Sequence, residues 1–399
     1  MKRFLHCLII VFLINTVLCP SKAEAKLFHK KQQSQEIQIL ETETDAQNIQ
    51  VVNVESDNSS SLKVKLKESY NIEVDKYDKP EYLFKEALTY RYDDNSRMDN
   101  VHIWGAYNAY GNINISENGN PDGKYVSNAL NIGFDGFLKN KNADFRIMVG
   151  FPIDSTRNYV QTLFSDVYIA SDKIPHHRVQ IGHFRPQVGY EGGNSAYTLP
   201  FLNRSQISRN FGTARRIGGR IKGDYKFADY DIGMYSSDTF FEEFFPGAEF
   251  VGWINIKPFA NRENKYGKLK IGAGIDGGHR KNNFFVTGAH IGYEYKRFSA
   301  DFEWANANGY NGYYGDSAKH ASGFYSTLGY MITNKVQLLA RYDQFNPDKT
   351  LSNNKREYSL GINYFIKGQA LRLIMNYVFS QNDNAKDSHR IMFGAQILI

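Results

Sequence analysis

From Val101 to Ile399, apolar and polar residues alternate with a period of two, in runs of roughly ten residues separated by clusters of Asn, Gly, Asp and Lys. Sixteen such runs can be placed: 101–111, 128–138, 143–152, 160–170, 177–184, 213–223, 227–236, 250–258, 267–276, 285–295, 298–306, 322–332, 335–345, 356–366, 370–380 and 389–399. A tilted strand of that length crosses a bilayer. The pattern therefore predicts an all-β fold, a transmembrane antiparallel β-barrel of about 16 strands with long external loops. An even count brings both ends of the sheet to the same side of the membrane.

The two faces of each run differ in chemistry. In 145–151 the apolar set is Phe145, Ile147, Val149 and Phe151, while Arg146, Met148 and Gly150 point the other way. In 357–364 Tyr358, Leu360, Ile362 and Tyr364 alternate with Glu357, Ser359, Gly361 and Asn363. The last run sets Ile391, Phe393, Ala395, Ile397 and Ile399 against Arg390, Met392, Gly394, Gln396 and Leu398. Read with the apolar face toward lipid, the lumen receives Arg146, Arg216, Arg220, Lys222, Lys270, Arg341, Arg372 and Arg390. It also receives Asp135, Asp166, Asp231, Asp276, Glu294, Asp301, Glu303, Asp343 and Glu357. A wall so balanced gives no ion preference by count, and its charges are expected chiefly to pair across strands. Short connections at 139–142, 224–226, 296–297, 334 and 367–369 alternate with long ones at 112–127, 185–212, 237–249, 307–321 and 381–388. The short ones read as periplasmic turns and the long ones as external loops.

Composition supports export. Lys2 and Arg3 precede the apolar run Phe4 to Leu18, and Ala23-Glu24-Ala25 provides a cleavage site, so residues 1–25 read as a signal peptide. Both cysteines, Cys7 and Cys19, leave with it, which excludes a disulfide-stapled secreted module. The mean hydropathy of −0.50 excludes a polytopic helical membrane protein. Residues 26–97 are polar and aperiodic apart from Leu62–Lys67, and are expected to be a periplasmic linker before a barrel domain at 98–399. Charge follows the same division: residues 26–100 carry 11 Lys+Arg against 15 Asp+Glu, and 101–399 carry 34 against 26.

Several stretches resemble a known family. His183-Phe184-Arg185-Pro186-Gln187-Val188-Gly189-Tyr190-Glu191, Leu199-Pro200-Phe201-Leu202-Asn203-Arg204-Ser205 and Arg215-Arg216-Ile217-Gly218-Gly219 are similar to the central signature of the phosphate-selective porins of the O and P type. The stretches 339–348 and 358–365 resemble that family's later strands. The resemblance implies a sixteen-stranded trimeric barrel whose third loop folds into the pore, and 185–212 sits where that loop belongs. The N-terminal coiled coil of many members is not evident, and Ile399 stands where the family carries an aromatic.

The chemistry that accompanies this reading is a cluster of cations. Arg185, Arg204 and Arg209 lie in the loop against the single acid Glu191, followed by Arg215, Arg216, Arg220 and Lys222. Like charges ringing a constriction lower the barrier for the opposite ion, and guanidinium suits phosphate or carboxylate. These seven are the candidate anion-binding residues of the constriction. The competing reading is that the same arginines pin the loop to the wall. Gly272-x-Gly274-x-x-Gly277 matches a dinucleotide fingerprint by letter only, because it lies inside a predicted strand with no helix following. His176, His177 and His183 lack a partner acid at ligand spacing. A passive outer-membrane diffusion channel for small hydrophilic solutes, anions such as phosphate in particular, is the expected function, with outer-membrane lipid, small anionic solutes and a homotrimer as partners, and no cofactor, metal, catalytic residue or nucleic acid. The rival classes are a non-selective porin, a surface structural or adhesin barrel, and an outer-membrane hydrolase.

Overall fold

The structure is a computed structural model that describes residues 81–399 apart from 94, 117–118, 120, 140–142, 152–162, 240, 242 and 352. The expected signal peptide and the linker as far as residue 80 lie outside the described residues. The strands are β1 (Thr89–Arg91), β2 (Met98–Ser116), β3 (Asp122–Leu138), β4 (Asp144–Gly150), β5 (Phe164–Ser171), β6 (His177–Phe184), β7 (Arg216–Asp224), β8 (Ala228–Ser236), β9 (Ala248–Ile256) and β10 (Lys268–His279). They continue with β11 (Asn283–Tyr295), β12 (Phe298–Gly312), β13 (Gly315–Met331), β14 (Val336–Asn346), β15 (Lys355–Lys367), β16 (Leu371–Asn382) and β17 (Ala385–Leu398). Three short helices interrupt the connections: α1 (Tyr190–Gly193), α2 (Gln206–Phe211) and α3 (Glu263–Tyr266).

β2 to β17 pair antiparallel in chain order, and β17 pairs back with β2 from Ala106 opposite Leu398 to Ser116 opposite Ser388. The result is a closed barrel of sixteen strands, each corresponding to one of the sixteen periodic runs. The remaining strand, β1, lies beside β2 beyond the point where β17 ends, with Thr89 opposite His102 and Arg91 opposite Asn100. Part of the segment expected as linker thus pairs with the barrel wall.

The alternation places side chains as read. Along β15, Tyr358, Leu360, Ile362 and Tyr364 are exposed on the outer face, while Ser359, Gly361 and Asn363 are buried inside. Exposed Ile217, Ile221, Ile232, Ile254, Ile271, Ile275 and Ile291 continue the outer apolar band across β7 to β11. In water such a band would be an aggregation surface; in lipid it is the solvated face.

Three of the expected long loops are corrected. Residues 112–127, 307–321 and 381–388 are largely strand, because the hairpins β2–β3, β12–β13 and β16–β17 run on past the apolar band before turning. Polar residues such as Asn112 and Asn114 read as loop, but above the membrane their main chain keeps pairing with β3 and β17. Charge is unequal between the two rims. Among the described residues, the turns on the short-turn side, the segment 81–97 aside, carry Lys139, Lys173, Lys226, Lys257, Arg262, Lys265, Lys296, Arg297 and Lys335 with Asp172 and Glu263, and Asp224 and Asp229 at the adjoining strand ends pair with Lys257. The opposite turns, 185–215 aside, carry Arg280, Lys281 and Lys349 against Asp238, Glu243, Asp348 and Asp383.

Ile362, half-way along β15, tests the assignment of faces. Ile362→Arg places a charge at mid-bilayer depth and should lower the unfolding free energy in lipid by about 2–4 kcal/mol, read from denaturant titration of barrel tryptophan fluorescence. A neutral outcome would mean that this face does not meet hydrocarbon.

Candidate pore and constriction

The connection between β6 and β7 runs inside the barrel. Its sequence explains why: Val188, Leu199, Phe201, Leu202, Ile207 and Phe211 are all buried, which is unlike a loop exposed to water. Val188, Ile207 and Phe211 pack with Phe184, Tyr235, Val251, Val286, Tyr325 and Phe345 of the inner wall. The wall makes room with small residues. A Cβ on Gly323 would lie 2.7 Å from Cγ2 of Ile207, and one on Gly361 would lie 3.0 Å from Cε1 of Phe201. The chain turns into the lumen at Gly189, whose φ of 75° favours glycine. Ser205 caps α2, its hydroxyl accepting from the Ser208 amide.

A loop taken out of water must find partners for its main chain, and the inner wall supplies them. Glu303 of β12 accepts from the amides of Tyr190 (2.6 Å) and Glu191 (3.1 Å). Asp343 of β14 accepts from the Gln206 amide at 2.7 Å, and Asn376 of β16 from the Leu202 amide at 2.9 Å. Asn363 of β15 donates to the Pro200 carbonyl at 2.9 Å, and Gln396 of β17 to that of Tyr197 at 2.8 Å. Glu191 itself accepts from the Ser205 amide and pairs with Arg341 at 2.7 Å. None of these tethers was among the seven residues singled out from the sequence. Alternation marks them as inward polar residues, but no local signal names the partner of each.

The seven candidates divide by what they touch. Arg185 donates to the carbonyls of Thr213 and Asn194, and buried Arg204 to those of Glu191 and Asn194. Arg215 pairs with Asp166 at 2.7 Å. Arg185, Arg204 and Arg215 lie close enough for their charges to act on one another. The other four, like Arg215, meet carboxylates. Arg209 pairs with Glu357 at 2.8 Å, a carboxylate it shares with Arg390 at 2.7 Å. Arg220 and Lys222 flank Asp231 at 3.0 and 3.7 Å. Arg216 and Glu249, both wholly buried, are joined at 2.6 Å. Elsewhere on the wall Arg146 grips Asp135, directly opposite it on β3, with two hydrogen bonds of 2.7 Å.

From the other mouth, the segment ahead of β1 reaches the same lumen. The Tyr82 ring lies 5.5 Å from that of Trp104 and 5.0 Å from that of His102. Trp104 clusters with Ala106, Met148, Leu398 and Tyr197, the last from the pore loop. The Leu83 amide donates to the Leu398 carbonyl at 2.9 Å, tying this segment to the end of β17. Gly272 and Gly274 lie in β10 beneath the Trp253 indole, so a strand floor rather than a phosphate loop accounts for them.

Residues 253–397 match the family described as phosphate-selective porin O and P, which bears out the resemblance read from the sequence. Among solved structures, the chain is similar to the outer membrane channel DcaP of Acinetobacter baumannii, with a TM-score of 0.55 at 12% identity over 77% of this chain and 99% of that one. It is similar to the trimer form of OmpT of Vibrio cholerae, with a TM-score of 0.52 at 13% identity over 75% and 99%. An anion-selective porin from Comamonas acidovorans gives 0.55 at 9% identity, again over 75% and 99%. These likenesses establish the porin barrel fold. No curated protein sequence matches the chain.

Two outcomes follow from the buried contacts. Arg216→Met leaves Glu249 buried without its cation and should cost about 3–5 kcal/mol, whereas the double variant with Glu249→Leu should recover most of that loss, measured by denaturant unfolding. Asp343→Ala strips the Gln206 amide of its acceptor, costing about 1–3 kcal/mol, and single-channel records should show added current noise as the loop loosens.

Proposed function

We propose that the protein is a diffusion channel of the bacterial outer membrane, passing small hydrophilic solutes and favouring anions, phosphate among them. The observation that carries the anion preference is the charge balance on the loop inside the barrel. Arg185 and Arg204 spend their hydrogen bonds on neutral carbonyls, Arg215 has the one carboxylate of Asp166, and Glu191 is engaged by Arg341. A passing anion would therefore meet an excess of positive charge where the loop crosses the lumen. Arg209, Arg216, Arg220 and Lys222, each paired with a carboxylate, are assigned to holding the loop and wall in place, while Arg215, although paired with Asp166, is grouped with Arg185 and Arg204 because the three charges act on one another. The match of residues 253–397 to the phosphate-selective porin O and P family and the anion-selective porin among the structural neighbours point the same way. A homotrimer is the proposed assembly, by analogy with the OmpT trimer form.

A second reading, a barrel occluded at rest, is favoured by Tyr82 in the chain-end mouth and by the apolar packing of the loop against β9 to β14.

Reversal potentials of the purified protein across a potassium chloride gradient test both. Anion selectivity is expected for the wild type. Arg185→Gln and Arg215→Gln should each shift it severalfold toward cations, since a charge at or just beyond contact distance alters ion energy by about 1–4 kcal/mol at an effective dielectric of about 20. The preference should fade as salt is raised. Cation selectivity, or a reversal potential indifferent to both substitutions, would refute the assignment; a silent bilayer that conducts only after Tyr82→Ala would establish the occluded form.

A further inference from the structure

Among the described residues, the short turns between strands carry nine basic residues against two acidic ones, with Asp224 and Asp229 at the adjoining strand ends pairing with Lys257, whereas the opposite turns outside the pore loop are near balance. That excess is not explained by the pore. On three consecutive turns of that rim it takes a repeated form. Lys226 stands 5.9 Å from the centre of the Phe227 ring, Lys265 5.0 Å from that of Tyr266, and Lys296 5.0 Å from that of Tyr295. The three lysines are exposed, and they belong to the β7–β8, β9–β10 and β11–β12 turns, which are neighbours around the barrel. Tyr295 lies on the outer, lipid side of β11, and Phe227 and Tyr266 are themselves exposed.

An aromatic ring at the edge of an apolar band settles at the headgroup level of a bilayer, and a lysine over its face is held at that height. A phosphodiester is the anion found there. We infer that the rim formed by these three turns is a binding surface for anionic glycerophospholipids of the periplasmic leaflet, each lysine meeting a headgroup phosphate while its ring packs on the glycerol and upper acyl chain. The inference rests on the outer-membrane channel proposed above, with the short turns facing the periplasm as the sequence pattern predicts. Cell-wall carboxylates fit less well, because the Tyr295 ring of this set is on the lipid side of the wall.

The experiment is native mass spectrometry of the full chain released from zwitterionic detergent in the presence of phosphatidylglycerol, phosphatidylcholine or inorganic phosphate. Phosphatidylglycerol should be retained in preference to phosphatidylcholine, and the triple variant K226Q/K265Q/K296Q should weaken its retention by roughly fivefold for each lysine lost. The variant K281Q/K349Q, altered on the opposite rim, should retain lipid as the wild type does. Equal retention of the two lipids, an unaffected triple variant, or displacement of the lipid by millimolar phosphate would each overturn the inference. Because none of the three lysines lies in the lumen, conductance should be unchanged in the triple variant. Loss of the channel reading would show in the bilayer recordings and not in lipid retention, so the two failures are distinguishable.

Discussion

In hydrocarbon, a main-chain amide or carbonyl has no water to fall back on, and leaving one unpaired costs several kcal/mol. The pairing of β17 with β2 is therefore the constraint on which the rest of the molecule depends. With it, every strand from β2 to β17 has two neighbours and the sheet has no edge. It also fixes which face of each strand is inward, because a slip of one residue anywhere around the ring would turn a row of isoleucines into the lumen. The interior chemistry is possible only because the register holds.

Inside that ring, the molecule behaves as a small protein core enclosed by its own wall. The loop between β6 and β7 brings in apolar side chains that pack on glycine and alanine positions, and main-chain groups that find carboxylates and carboxamides on β12 and on β14 to β17. Buried charges are tolerated because they come in pairs, Arg216 with Glu249 and Arg146 with Asp135, where truncating one partner is far worse than having neither. The pore-loop arginines sit at the boundary of this scheme, with two of them satisfied by carbonyl dipoles instead of opposite charges.

How much of this was legible beforehand follows from where the information lies. A strand that meets lipid on one side and polar groups on the other writes its period into the sequence, so all sixteen runs correspond to strands. Strand ends above the membrane are different. Asn112 and Asn114 alternate with Ile113 and Ile115 only briefly and face Lys124 and Asp122 of a polar stretch, yet pairing continues through them, so the hairpins proved longer and the turns shorter than expected. The place of the pore loop could be read from its length and family signature. Its attachment could not, because Glu303, Asp343 and Gln396 lie 112, 137 and 199 positions from the main-chain groups they bind, and nothing local distinguishes them from other inward polar residues. The balanced wall was expected to pair across strands, and Arg146 with Asp135 does so at directly opposed positions. Tyr82, in a segment expected as linker, belongs to no periodic run; only its contact with Trp104 reveals its role.

The tethers also impose an order on assembly. The loop precedes in the chain each strand that will hold it, so until those strands are in place its buried amides have no acceptors and its phenylalanines have no wall. Those partners arrive with β12 and with β14 to β17, the last of which is also the strand that closes the ring across nearly the whole length of the barrel domain. Contacts of such high sequence separation form slowly, and until they form the loop is a sticky apolar segment rather than part of a packed interior. Loop docking and ring closure are in this way a single late event, which ties the maturation of the pore to completion of the barrel.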